Sequence, residues 1–171
     1  AYSDVLNKSA LINACKAARA VVKSGQQGQL KMPSPVSASV FYENVDPISA
    51  MTAAEKLELL RTADAAARAA DPRVQRVTVS LAGEVDQVLI MASDGTLATD
   101  IRPLIRLNVS VIVEAGGRRE RGSAGGGRRL DYRYFADNDL PTVYAKEAVR
   151  QALVNLEAVD APAGSMPVVL A

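Results

Sequence analysis

The stretch Ile105-Arg106-Leu107-Asn108-Val109-Ser110-Val111-Ile112-Val113 decides the fold class. Ile105, Leu107, Val109, Val111 and Val113 alternate with Arg106, Asn108 and Ser110. A period of two gives a strand one buried face and one wet face. Upstream, Val77, Val79 and Leu81 alternate with Thr78 and Ser80, Gly83 allows a turn, and residues 85–92 form a more continuous apolar run. Between these strands, Ser93-Asp94-Gly95-Thr96 carries the Asp-Gly pair that suits the positive φ angles of a tight hairpin. Pro103 is expected at the start of the 105–113 strand, where a missing N–H costs least. Downstream, Gly116-Gly117 turns the chain into Arg118–Arg121. Residues 122–127, Gly-Ser-Ala-Gly-Gly-Gly, read as a flexible loop before a strand-like segment at Tyr132–Phe135. Successive strands with short turns predict an antiparallel meander.

Helical periodicity flanks this region. Residues 9–23 place Leu11, Ala14, Cys15, Ala18, Val21 and Val22 on one stripe, which makes Cys15 a small buried residue. Residues 24–50, with Gly25, Gly28, Pro33, Pro35 and Pro47, read as a linker at a domain boundary, anchored by packing of Val40, Phe41 and Tyr42. Thr52-Ala53-Ala54-Glu55 is a capping box that opens a second helix. Its expected buried stripe is Leu57, Leu60, Ala63, Ala67 and Ala70, and Asp71-Pro72 ends it. Glu55 and Glu58 are three apart, yet one reads as a cap and the other as a solvated side chain rather than as paired catalytic acids. A last helix over about 141–158 buries Ala145, Ala148, Val149, Ala152, Leu153 and Leu156, with Pro141 in its first turn. After a break at residues 161–164, residues 166–171 read as the start of a further strand, as in a truncated parent chain. The expected class is therefore α+β: an antiparallel meander flanked by helices, with an N-terminal helix from a preceding domain.

Composition narrows the chemistry. Of 171 residues 49% are hydrophobic but only 4% aromatic, so the core must be built from Ala, Val, Leu and Ile. Histidine is absent, which removes Ser–His–Asp, Cys–His and His-ligated zinc arrangements from this chain. The single cysteine removes a disulfide framework. No apolar run approaches the ~20 residues of a membrane span. Residues 122–127 fail as a phosphate cradle, since no Lys-Ser/Thr and no helix follow the glycines. Ser, Lys and Tyr nucleophiles are present, but no Ser-x-x-Lys spacing supports them.

Residues 118–133 hold six arginines against Glu120 and Asp131, a formal +4, which leaves −3 for the rest of a chain whose total is +1. With Tyr132, Tyr134 and Phe135 nearby, this basic hairpin is the feature a nucleic-acid contact would use. The balance of the chain offers no basic surface to extend it, so a solvated hairpin or a subunit interface is the expected reading.

Several stretches together resemble one known family. Residues 71–77 (DPRVQRV), 92–104 (ASDGTLATDIRPL), 119–128 (RERGSAGGGR), 145–156 (AKEAVRQALVNL) and 161–170 (APAGSMPVVL) are similar to the middle region of the TldD/PmbA family, on its TldD rather than its PmbA (TldE) side. Residues 1–23 resemble the last helix of the family's first domain, 24–50 the linker, 51–160 its middle domain, and 161–171 the start of its catalytic domain. The resemblance implies a cytoplasmic zinc metallopeptidase that cleaves peptides and small or unfolded proteins, paired with a paralogous PmbA/TldE-like subunit. Members also carry the label "modulator of DNA gyrase", which frames the alternative of a binding module for nucleic acid or a gyrase-type partner. The family's metal helix, His-Glu-x-x-x-His, and its distant Cys lie downstream of the matched segment. No catalytic or metal residue therefore carries over, and zinc belongs to the full-length parent. Nucleic acid and membrane are not expected partners. Arg121, Gly125, Gly126 and Gly127 are the expected peptide- or partner-facing loop, where glycines let an extended chain pair with backbone.

Overall fold

The computed structural model describes residues 1–21, 34–35, 42–161, 163–165 and 167–169. The chain divides into two units, Ala1–Val36 with Ile90–Ala98, and Ser37–Leu89 with Thr99–Ala171. Most of the expected linker, with Val40 and Phe41, lies outside the described residues.

In the first unit, helix α1 runs Lys8–Val21, and the Asn7 side chain accepts from the Ala10 N–H at 2.8 Å. Its apolar stripe is not buried: Leu11 is 50% exposed and Cys15 is exposed, contrary to the sequence expectation. The stripe meets no partner among the described residues, and periodicity alone does not supply one. The same unit holds the two-residue strand β1, Ser34–Pro35. It also holds the tip of a hairpin, where Gly95 has φ 96° and Asp94 Oδ1 accepts from the Thr96 N–H at 2.8 Å. The turn forms where Asp-Gly predicts, but only Gly95 takes a positive φ: the Gly95 N–H donates to the Ala92 carbonyl at 3.1 Å, so the loop has three residues, 93–95. β1 pairs in parallel with residues 96–97 just past this turn.

The second unit contains helix α2 (Ala53–Ala70), strand β4 (Arg118–Arg128), short helix α3 (Arg133–Asp137), helix α4 (Leu140–Glu157) and most of strands β2 (Val74–Met91) and β3 (Thr96–Ala115). β3 is central, with β2 and β4 on either side, so the meander is antiparallel and open. Both halves of the Thr52–Glu55 capping box are formed. Glu58 is exposed and only loosely paired with Arg61, at 3.9 Å.

The core follows from the period-two pattern. Ile105, Leu107, Val109, Val111 and Val113 are all fully buried against the helices. Burying each such side chain contributes about 1.5–3 kcal/mol. α2 and α4 cover this face with Leu59, Ala63 and Ala67, and with Ala145, Ala148, Val149, Ala152 and Leu156. The α2 stripe is shifted from the expected one: Leu59 is buried, while Leu57 is 44% exposed and Ala70 lies at the exposed helix end. An Ala-rich helix has apolar side chains nearly all round, so its rotation is set by the sheet it meets rather than by its own pattern.

Three local expectations are corrected. Residues 122–127 form a strand, not a loop: they sit in unbroken register with residues 106–111 of β3. Their glycines answer to close packing. A Cβ on Gly122 would lie 2.0 Å from the Ala148 carbonyl oxygen and 2.5 Å from the Ala152 nitrogen of α4. Tyr132–Phe135 is helical rather than a strand, because Asp131 Oδ1 accepts from the Arg133 N–H at 2.8 Å and starts α3, burying Tyr132 and Phe135. Pro103 lies within β3, fully buried, and not at its start. The β4 ladder ends at Ile105, so Pro103 sits where β3 has lost that neighbour. The C-terminal strand is also absent among the described residues, since 167–169 have no ladder partner.

Substituting Gly122 by Ala should force β4 off α4 and destabilise the protein by roughly 1–3 kcal/mol or more. Ser123→Ala, on the exposed side of the same strand, should be near neutral. Urea denaturation of the two variants measures the difference.

Candidate functional site

β4 is an edge strand. In an antiparallel ladder the N–H and C=O of one residue point to the same side and alternate along the strand. The Arg121 carbonyl accepts from Asn155 Nδ2 of α4 at 2.9 Å and therefore points away from β3. The same parity turns the backbone groups of Ser123, Gly125 and Gly127 outward. The opposite side agrees: the Leu107 and Ile105 carbonyls of β3 each come within 2.5 Å of where a Cβ on Gly125 or Gly127 would stand. Among the described residues no strand pairs with this outer edge.

The structure thus brings Arg121, Gly125 and Gly127 to one rim and turns Gly126 the other way. Gly126 faces the helix layer, where a Cβ would lie 2.6 Å from the Tyr144 hydroxyl. A hollow of about 780 Å³ takes in both rims of β4. On the open face of the sheet its walls are Thr78, Ser80, Arg106, Asn108, Ser110, Arg121 and Ser123. On the helix side they are Val143, Tyr144, Glu147 and Gln151. Across the ladder, Arg106 faces Gly127 and Asn108 faces Gly125, so no side chain stands between Arg106 and the edge. The loop reading of 122–127 missed Arg106, Asn108 and Ser110. Their signal was the polar half of the alternation, which places them on the same face as Arg121 and Ser123 once the register is known.

Electrostatics divide the two rims. Arg121 Nε donates to Ser110 Oγ at 2.8 Å. Neither Arg106 nor Arg121 has a carboxylate partner among the described residues. On the helix side, Glu147 accepts from Arg150 Nε at 2.7 Å and from Gln151 at 2.9 Å. Those hydrogen bonds, Arg150's first, hold its carboxyl down at about 2.

The rest of the basic hairpin is spent on the protein itself. Arg118 reaches Glu120 and the last carbonyls of α4, and Arg119 pairs with Glu114 at 3.1 Å. Arg128 stacks on Tyr134, Arg129 on Tyr42, and Arg133 donates to the Ala50 carbonyl. These contacts engage most of the guanidinium groups, although Arg118 and Arg119 remain more than half exposed. As for metals, the donor set does not suit zinc: the chain has no histidine, and no cluster of three or more His, Cys, Asp or Glu exists among the described residues. Among the described residues no helix is long and apolar enough to cross a membrane.

Residues 46–156 match the family model described as the PmbA/TldA metallopeptidase central domain. The chain therefore belongs to the PmbA/TldD family of metallopeptidases. Over 99% of its length it is 49% identical to a protein named "Metalloprotease TldD homolog" from Haemophilus influenzae. A protein of the same name from Buchnera aphidicola (Acyrthosiphon pisum) is 40% identical over the same share. The chain spans 36% of the length of each of these curated relatives. A crystal structure from Thermotoga maritima, described as a proposed modulator of a DNA gyrase, superposes with a TM-score of 0.66 at 19% identity. It covers 95% of this chain and 36% of its own, and shares the fold.

The folded-state pKa of Glu147 lies below its ordinary value of 4.5. The stability from its ion pair is therefore fully present above that value and is lost as pH falls through about 2. In Arg150→Gln the Glu147 midpoint should rise toward 4.5, read by NMR titration of the carboxyl carbon.

Proposed function

We propose that this chain is the non-catalytic central segment of a TldD-like zinc metallopeptidase that cleaves peptides and small or unfolded proteins. Residues 1–23 close a preceding domain, and 161–171 lead into the catalytic one. The parent works in the cytoplasm beside a paralogous PmbA/TldE-like subunit. Hydrolysis is carried by the zinc-bearing part of the parent, where the metal would activate water. The task of this segment is to hold an extended chain on the β4 edge.

The observation that carries this reading is the edge at Ser123, Gly125 and Gly127, unpaired among the described residues. A strand added there gains main-chain hydrogen bonds whatever its side chains, which suits an enzyme for unfolded chains. Family membership and relatives named metalloproteases support the catalytic half. The alternative, a nucleic-acid or gyrase-binding module, draws on the arginines of 118–133, most of which are already engaged.

The test uses the full-length protein with its paralogous partner. It should hold about one zinc per TldD-like subunit and lose peptide cleavage on chelation. Ser123→Pro removes one outward N–H at an edge position that tolerates proline. That variant should keep its zinc while kcat/KM for an unfolded peptide falls roughly tenfold, as expected from the loss of about 1 kcal/mol or more of main-chain bonding. Full activity with a chelator present would overturn the metallopeptidase reading. Full activity in Ser123→Pro would overturn the role of the edge.

A further inference from the structure

The edge just described has a chemical preference, and this inference rests on the peptide-holding reading above. The open face beside the edge is cationic and rich in hydroxyl and amide groups. Arg106 and Arg121 stand there without carboxylate partners among the described residues, next to Asn108, Ser110 and Ser123. The opposite rim carries Glu147, ionised and held by Arg150. The open rim is therefore cationic, whereas the α4 rim, where Arg150 pairs with Glu147, is close to neutral at the place where an added strand would lie.

Strand geometry turns this difference into a pattern. Successive side chains of an extended chain point to opposite faces, so alternate residues would face the open side and the rest the α4 side. An added strand lies about 4.8 Å beyond β4. Arg121, on β4 itself, borders the end of that strand, beside Ser123. Arg106, one strand further in, reaches across Gly127, which has no side chain to block it.

We propose that the β4 edge selects extended peptides bearing acidic side chains at alternate positions, with Arg106 and Arg121 receiving the carboxylates. An acidic group on the other face would meet the Glu147–Arg150 pair, which offers it no net attraction. Guanidinium–carboxylate hydrogen bonds are charge-assisted and strong for their kind. Both arginines are solvent-accessible, so the preference is moderate and weakens with salt.

Stopped-flow fluorescence anisotropy on the full-length protein reads binding before any bond is cut. The probes are fluorescein-labelled nonapeptides of alternating Thr-Glu, Thr-Gln and Thr-Lys. The Thr-Glu peptide should bind roughly tenfold tighter than Thr-Gln at low salt, and Thr-Lys weakest. The double variant Arg106→Gln, Arg121→Gln should bring Thr-Glu down to the level at which the same variant binds Thr-Gln. Ser123→Pro should weaken all three alike. Equal binding of Thr-Glu and Thr-Gln, or an acidic preference that survives the double variant, would overturn the proposal. Because binding is read without turnover, a protein that shows the preference but cleaves nothing would sink the proposed function and leave this inference standing. Cleavage without the preference would do the reverse.

Discussion

The contact on which the rest depends is the one between two backbones, strand β4 and helix α4 at Gly122. The atoms of Ala148 and Ala152 stand where any Cβ on Gly122 would be. Side chains normally keep a helix about 10 Å from a sheet, and here that spacer is missing. The approach requires glycine or alanine on both sides, which accounts for Gly122, Ala124 and Gly126 on β4 and for Ala145, Ala148 and Ala152 on α4. A chain with 4% aromatic residues has little else with which to fill a wide interlayer gap. Bringing the layers together is how such a composition makes a dense core.

The consequence for the other face is direct. A strand that spends its inward positions on Gly, Ala and Gly has low side-chain bulk, and its outward positions alternate with these. Gly125 and Gly127 keep that side open as well, so β4 is thin on both faces at its free edge. Its outward carbonyl at Arg121 is capped by Asn155, and Arg118 ties the start of the strand to the end of α4. One end of the edge is thus closed by the protein's own helix, and the Ser123–Gly127 end is left unpaired among the described residues. Long unpaired edges invite aggregation, and natural proteins blunt them. This one is short, charged at its margin and bordered by Glu147 on one rim and Arg106 on the other.

Charge counting along the sequence was a poor guide to this surface. The +4 of residues 118–133 is real, yet the fold distributes it. Some guanidiniums go to carboxylates, two to tyrosine rings, and others to main-chain carbonyls. One cation beside the edge, Arg106, comes from a different strand and lies outside that run. Register, not sequence proximity, places it opposite Gly127.

Local chemistry was legible from the residues themselves. The alternation through Ile105–Val113, the Asp94-Gly95 turn and the Thr52–Glu55 box each act within a few residues, so neighbours in sequence suffice to determine them. The antiparallel meander followed from short turns, and the absence of histidine ruled out an imidazole-based centre in this chain without any coordinates. What required the tertiary structure was every choice set by a distant partner. Glycines at 122–127 are compatible with a loop or a strand, and the ladder with β3 together with the close approach of α4 decides for the strand. Leu59 rather than Leu57 faces the core because the sheet sets the rotation of an Ala-rich helix, and Cys15 stays exposed because no described element covers its stripe. Periodicity reports which side of an element is apolar. Whether that side is buried depends on what folds against it, and that information is spread across residues far apart in the chain.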